Sequence, residues 1–334
     1  MWSPHGFSLA GSTAVIGAAF LSLPLTILFG PVAGYNIVMI LLPVLAAFSM
    51  FILLKHITKE RLFPAMLGGY VFGFSGYMIN QMSSHMHLVL VFLIPLMVYL
   101  FLLKAENRIT EVKFIFLFTI MLIFQFLFSL EIFATFTFFG FILLLILHLI
   151  YGKTYFNDIK LKMAKALKPA VVSYFIATAL LSPYLYLFFI QGRFSVVHFA
   201  PADFSSNLLN FFIPSKYAML GGNFFTFLSD KFDARDYVFD QDAYLGLPFI
   251  AILIFYFYKN RFNPFVKALM YSFLIIAVFS IGPTLHIYKY SIMPMPYKPF
   301  VVVPLIKHAL PPFYALRFFC ACHNSRFVFK RIVK

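Results

Sequence analysis

The sequence predicts an all-α, polytopic integral membrane protein with about eight transmembrane helices and one long extracytoplasmic loop. Three observations predict it. Hydrophobic residues fill 62% of the 334 positions and charged residues only 11%, with a mean hydropathy of +0.92. A soluble domain of this length cannot hide so much apolar surface, so lipid is the solvent for most of it. Apolar runs alternate with short basic clusters, and no alternating barrel pattern interrupts them. A spanning backbone must satisfy its own hydrogen bonds, which leaves helices.

Residues 1–54 contain no Lys, Arg, Asp or Glu. Residues 1–8 therefore lack the positive segment of a cleavable signal. Residues 9–29 are apolar but carry Gly11, Gly17, Ser22 and Pro24, and read equally as a poor span or as interfacial helices. Gly30-Pro31 breaks the chain before a first span over 33–54. A second span covers 62–79, where Gly69-x-x-x-Gly73 permits close helix approach in lipid. A polar tip over 80–87 leads to a third span at 88–103. The fourth and fifth occupy 114–128 and 131–151, and the sixth 169–190. After the loop at 191–242 come a seventh span at 243–258 and an eighth at 268–287.

The connections set the orientation. Those at 55–61, 104–113, 153–168 and 259–267 hold 14 Lys and Arg, whereas the facing connections 80–87 and 129–131 hold none. The positive-inside rule places the basic turns in the cytoplasm and the 191–242 loop outside a plasma membrane. The formal charge of +15 is thus a topology signal. The expected partner is the bilayer and not nucleic acid. Residues 1–317 form one multi-span membrane domain on this reading, and 318–334 a basic, polar tail of aberrant character. Cys320, Cys322 and His323 in that tail lack the further pair that a zinc finger needs.

Carboxylates are scarce, and six of the eleven lie in the 191–242 loop. Asp240-Gln241-Asp242 has the Asp-x-Asp form that holds Mg²⁺ or Mn²⁺ beside a diphosphate. The same two acids precede the seventh span, where they would also favour a helix N-terminus. Asp230, Asp233 and Asp236, interleaved with Lys231 and Arg235, read as a solvated face. Glu131 is an acid against the outer end of a span. Such groups tend to be functional, although a first-turn acid also serves as a cap. His85 and His87 stand at the mouth of the third span, and on a helix their spacing does not put them on one face. They suit hydrogen bonding to a polar substrate better than joint metal binding.

The segment Gly69-Tyr-Val-Phe-Gly-Phe-Ser-Gly-Tyr77, followed by His85-Met-His87 and Pro95, resembles a stretch of the YfhO-like membrane proteins. Residues 207–214 (NLLNFFIP), Asp242-Ala-Tyr-Leu-Gly246 and Leu310-Pro-Pro-Phe-Tyr-Ala-Leu-Arg317 resemble later landmarks of that group, in the same order. The group belongs to the GT-C class of polytopic glycosyltransferases. The resemblance implies transfer of a sugar from a polyprenyl-phosphate donor to an envelope polymer or lipid acceptor on the outer face. An outer carboxylate would take the acceptor's proton, with Asp242, Asp240 and Glu131 as candidates. His85, His87, Arg193 and Arg317 would bind substrate, and a cation or basic groups would offset the leaving phosphate. The resemblance also implies that a first span and its acid lie upstream of Met1 and that a Pro-x-Arg motif follows Arg317. Both ends then read as truncated, and the 334 residues alone are expected not to turn over. Two other classes stay open: a transporter or flippase of envelope lipid precursors, and a non-catalytic membrane scaffold.

Overall fold

The structure is a computed structural model that describes residues 16–82, 85–150, 152–187, 207–214, 224–225, 227–228, 244, 246–288 and 290–299. Among the described residues the regular elements are helices and one hairpin. The helices are α1 (Ile16–Phe29), α2 (Pro31–Ile57), α3 (Leu62–Gly73), α4 (Gly76–Gln81), α5 (Met86–Val89), α6 (Leu93–Ala105), α7 (Glu111–Phe128), α8 (Leu130–Ile150), α9 (Gly152–Tyr186), α10 (Leu247–Lys259) and α11 (Pro264–Ser280). A 3-10 turn spans Leu208–Phe211, and β1 (Thr284–Ile287) pairs antiparallel with β2 (Tyr290–Pro294).

Among the described residues, six helical segments are long and apolar enough to cross a membrane, against the eight expected. They are Pro31–Ile57, Leu62–Gln81, Met86–Ala105, Glu111–Phe128, Leu130–Ile150 and Met163–Tyr186. The expected seventh span is a helix of 13 residues, which at 1.5 Å per residue reaches about 20 Å, short of a hydrocarbon core of about 30 Å. The expected eighth ends at Ser280. Pro283 disfavours helix at the residue before it, Gly282 adopts φ 81°, and the apolar residues beyond them form β1 instead. The expected all-helical chain therefore carries a small sheet.

Close approach of α3 to α2 follows from Gly69 and Gly73. A Cβ on Gly69 would lie 2.7 Å from the Ala47 carbonyl oxygen, and one on Gly73 would strike Pro43 and Ala47. Small residues let backbones meet where lipid offers no hydrophobic drive to association. Helices α7, α8 and α9 alternate in direction. Ser173 lies beside Ile115 and Thr119, and Tyr184 beside Phe126, so α9 runs parallel to α7. Thr137 meets Tyr174 at 2.9 Å while Ile146 and Leu147 meet Met163, so α8 runs against α9. The main core gathers Leu42, Met50, Met78, Leu88, Met97, Phe114 and Leu122.

Two spans are broken. Between α3 and α4 the chain leaves the helix at Phe74, and the Ser75 side chain caps the next turn by accepting from the Met78 amide at 3.4 Å. Between α5 and α6, Leu90 has φ −76° and ψ 60°, with the Val91 amide bonded to the Val89 carbonyl at 2.8 Å. That is an inverse γ-turn. Non-helical backbone at membrane depth survives only where protein covers it, and Leu88, Val89 and Leu90 are fully buried.

Candidate functional site

The α5–α6 break is held by two side chains from other elements. Tyr77 donates its hydroxyl to the Leu88 carbonyl at 2.7 Å, and Gln125 donates Nε2 to the Leu90 carbonyl at 3.1 Å. These bonds replace helical partners that the break removes. A buried carbonyl left without a donor costs about 1–3 kcal/mol. The braced turn carries His85 and His87 on its N-terminal side. His85 is the residue before α5 and not part of it, so the helical spacing argument does not govern the pair. Their rings meet edge to face with centroids 5.7 Å apart.

Glu131 lies opposite, in the first turn of α8. The capping role that the sequence left open for it belongs to Ser129, whose hydroxyl oxygen accepts from the Ile132 amide at 3.3 Å. Glu131 points instead at His87, with Oε2 3.7 Å from Nε2. At that distance the two side chains are in contact but too far apart for a direct hydrogen bond. The Oε2 atom is buried and has no hydrogen-bond donor among the described residues. Burial without a donor is costly for a carboxylate oxygen. The structure thus brings together three of the residues singled out from sequence: His85, His87 and Glu131.

A further packing contact joins α8 to α11. Phe279 near the end of α11 packs on Phe138 of α8 at 5.9 Å, two helical turns from Glu131, and the hairpin follows. Asn207 donates Nδ2 to the Tyr288 carbonyl at 2.7 Å and accepts the Tyr288 amide at 3.3 Å. Its Oδ1 also accepts from the Leu209 amide at 3.1 Å. Tyr288 has φ 57°, a conformation uncommon for a bulky residue, and Asn207 satisfies both its backbone groups. Phe211, one turn on, is buried in the main core. Part of the loop expected outside the membrane is therefore docked on the bundle. Tyr297 beyond the hairpin stacks edge-on against Phe279 at 6.3 Å, and burial pushes its hydroxyl up to about 12.

Asp240, Asp242, Arg193 and Arg317 lie outside the described residues, as do Asp230, Asp233 and Asp236. The proposed cation ligands belong to that group. Among the described residues no cluster of three His, Cys, Asp or Glu is placed to hold a metal ion.

Sequence reasoning missed Gln125, and it gave Tyr77 only as part of a motif, without its part in bracing the site. Gln125 carried a signal, because it is the one amide in a helix whose charged residues are confined to its first turn and polar groups at membrane depth rarely lack a task. A second cluster at the opposite, basic end was also missed. His56 is buried and meets Glu106 at 3.2 Å, Arg108 meets the other Glu106 oxygen at 3.3 Å, and Tyr99 packs edge-on against His56 at 5.2 Å. This cluster ties the last turn of α2 to the turn after α6.

The profile of a family described as a domain of unknown function (DUF6311) matches residues 16–306. No curated protein and no solved structure matches the chain.

Proposed function

The chain belongs to the DUF6311 family, and from that premise we propose that it is a membrane glycosyltransferase of the GT-C kind. It moves a sugar from a polyprenyl-phosphate donor to a hydroxyl of an envelope acceptor at the outer face of the plasma membrane. The observation that carries the reading is Glu131 Oε2, buried without a donor among the described residues and 3.7 Å from His87. A poised carboxylate at the end of a span is what transfer to a hydroxyl requires. The acceptor oxygen attacks the anomeric carbon, the bond from that carbon to the phosphate oxygen breaks, and polyprenyl phosphate leaves with the electron pair. The hydroxyl proton passes to Glu131. A positioned base of this kind supplies roughly 10²–10⁴-fold in rate. The ordered motifs from Gly69 to Arg317 and the bilayer-length helices support the same reading.

Asp240 and Asp242 remain the sequence candidates for a Mg²⁺ or Mn²⁺ site that would offset charge on the leaving phosphate. Basic residues of the outer segments, Arg193 and Arg317 among them, are candidates for the same task. Because Glu131 lies within these residues, the proposal departs from the expectation that an acid upstream of Met1 is needed, and takes the 334 residues to be competent. The test is to reconstitute the chain in liposomes with radiolabelled hexosyl polyprenyl phosphates and follow label into acceptor-sized material. Transfer by the wild type that falls at least about 10²-fold in Glu131→Gln supports the proposal. No transfer by the wild type, with every donor hexose tried, overturns it.

A transporter or flippase is the second reading, favoured by the two broken spans, since discontinuous helices build many transport sites. It is separated in the same liposomes. Label that crosses the bilayer while still attached to its lipid belongs to transport and not to transfer.

A further inference from the structure

We infer that the α10–α11 turn and the neighbouring stretch of α9 form a binding site for the phosphate of an anionic glycerophospholipid, with Arg261 as its anchor. No Asp or Glu lies between Asp242 and Lys334, so Lys259, Arg261 and Lys267 have no carboxylate near them in sequence. Packing brings further cations. Phe265 and Ala268 of α11 share an apolar cluster with Ile146 and Leu147 of α8 and with Met163 of α9. That cluster sets the start of α11 beside the stretch of α9 that carries Lys165 and Lys168, both exposed. Among the described residues no carboxylate pairs with any of these cations. The other two basic turns differ. Lys55 meets Glu60 at 3.0 Å, Arg108 meets Glu106 at 3.3 Å and Lys104 meets Glu111 at 3.9 Å. Those turns offset part of their charge internally, whereas this patch leaves its charge for an anion from outside.

Arg261 is held in place for that task. Its guanidinium carbon lies 4.5 Å from the Tyr258 ring centre and 4.7 Å from that of Phe262, and Nη1 donates to the Tyr258 carbonyl at 3.0 Å. The carbonyl bond is one that basic residues commonly make at a helix C-terminus, and it uses one of several N–H donors. The rings cover part of the flat guanidinium surface and leave its edge for an acceptor. A phosphate takes that edge through two oxygens. Tyr258 and Phe262 are 67% and 79% exposed, so a ligand can reach the site. Aromatic side chains at the end of an apolar helix sit at the headgroup level of a bilayer, where the anion on offer is a lipid phosphate. Choline lipids bring their own cation, so the patch favours a headgroup of net negative charge. The inference is independent of the transfer reaction.

The test measures lipid binding to the full chain in detergent by native mass spectrometry, with phosphatidylglycerol and phosphatidylcholine of matched acyl chains as probes. Phosphatidylglycerol should bind the wild type more tightly. Arg261→Gln should weaken phosphatidylglycerol roughly tenfold or more, the usual weight of a hydrogen bond to a charged group, and leave phosphatidylcholine unchanged. Lys59→Gln removes an exposed cation from the α2–α3 turn, outside the patch, and should weaken neither lipid. Equal binding of the two lipids by the wild type, unchanged phosphatidylglycerol binding in Arg261→Gln, or an equal loss in Lys59→Gln overturns the site. Displacement of the lipid by an equal concentration of inorganic phosphate, or by polyglutamate, would assign the patch to a soluble anion or an acidic protein and overturn it likewise. The wild-type comparison does not depend on any variant folding.

Discussion

Gln125 on α7 donates to the carbonyl of Leu90, 35 residues earlier in the chain, and that bond holds open a turn in the middle of an apolar run. With Tyr77 it forms a brace beneath His85 and His87. Gln125→Leu should leave the Leu90 carbonyl buried without its donor and cost about 1–3 kcal/mol. Tyr77→Phe should cost a similar amount through Leu88. The two brace one turn, so the double variant should lose less than the sum. Denaturation of all three variants in detergent checks this. Strict additivity would show that the two bonds brace separate structures.

Gly73→Val should disrupt packing of α3 on α2. Any Cβ there meets Pro43 and Ala47, and overpacking of a tight interface costs about 1–3 kcal/mol. A variant at Gly140, where a Cβ meets nothing within 4 Å, is the matched control. Equal loss of folded yield at both positions would refute the close-approach account.

Asn207→Ala should release the hairpin from the segment at 207–214. The Tyr288 amide loses its acceptor and its carbonyl loses its donor. Exchange of the Tyr288 amide hydrogen should quicken by about tenfold, the weight of roughly one hydrogen bond. Exchange in the core of α2 should not change. Hydrogen–deuterium exchange with peptide mapping reads both.

Tyr297 gives a pH dependence. Burial raises its hydroxyl from 10 to about 12 in the folded chain, so between those values the unfolded chain gives up the proton first. The stabilisation is complete below pH 10 and is lost as pH rises through about 12. Melting temperature in detergent should therefore fall more steeply above pH 10 for the wild type than for Tyr297→Phe. Parallel curves for the two proteins would refute this.

Orientation is testable with cysteines at Glu60 and Tyr290 in a chain lacking Cys320 and Cys322. By the basic-cluster argument, an impermeant thiol reagent added to whole cells should label position 290 and spare position 60. The opposite pattern would invert the topology and put Glu131 in the cytoplasm.

The sequence by itself determined the solvent, the helical class and the six long spans, because each rests on a property summed over a local window. Hydropathy averages over about 19 residues, and a lipid-facing helix needs no partner to declare it. His85, His87 and Glu131 were also legible, being isolated polar residues at the ends of apolar runs. What the tertiary structure alone decided was their meeting. His87 and Glu131 approach only because the chain leaves the helix at Leu90, and that break is satisfied by Gln125 and Tyr77, which are distant in sequence. The short seventh and eighth helices escaped for a related reason. Both read as spanning by apolar content, yet the seventh is only 13 residues long, and beyond the eighth Gly282 and Pro283 redirect the backbone into a hairpin whose turn residue Tyr288 is anchored by Asn207 from 81 residues away. Windowed hydropathy measures a transfer free energy and is blind to which backbone group bonds to which.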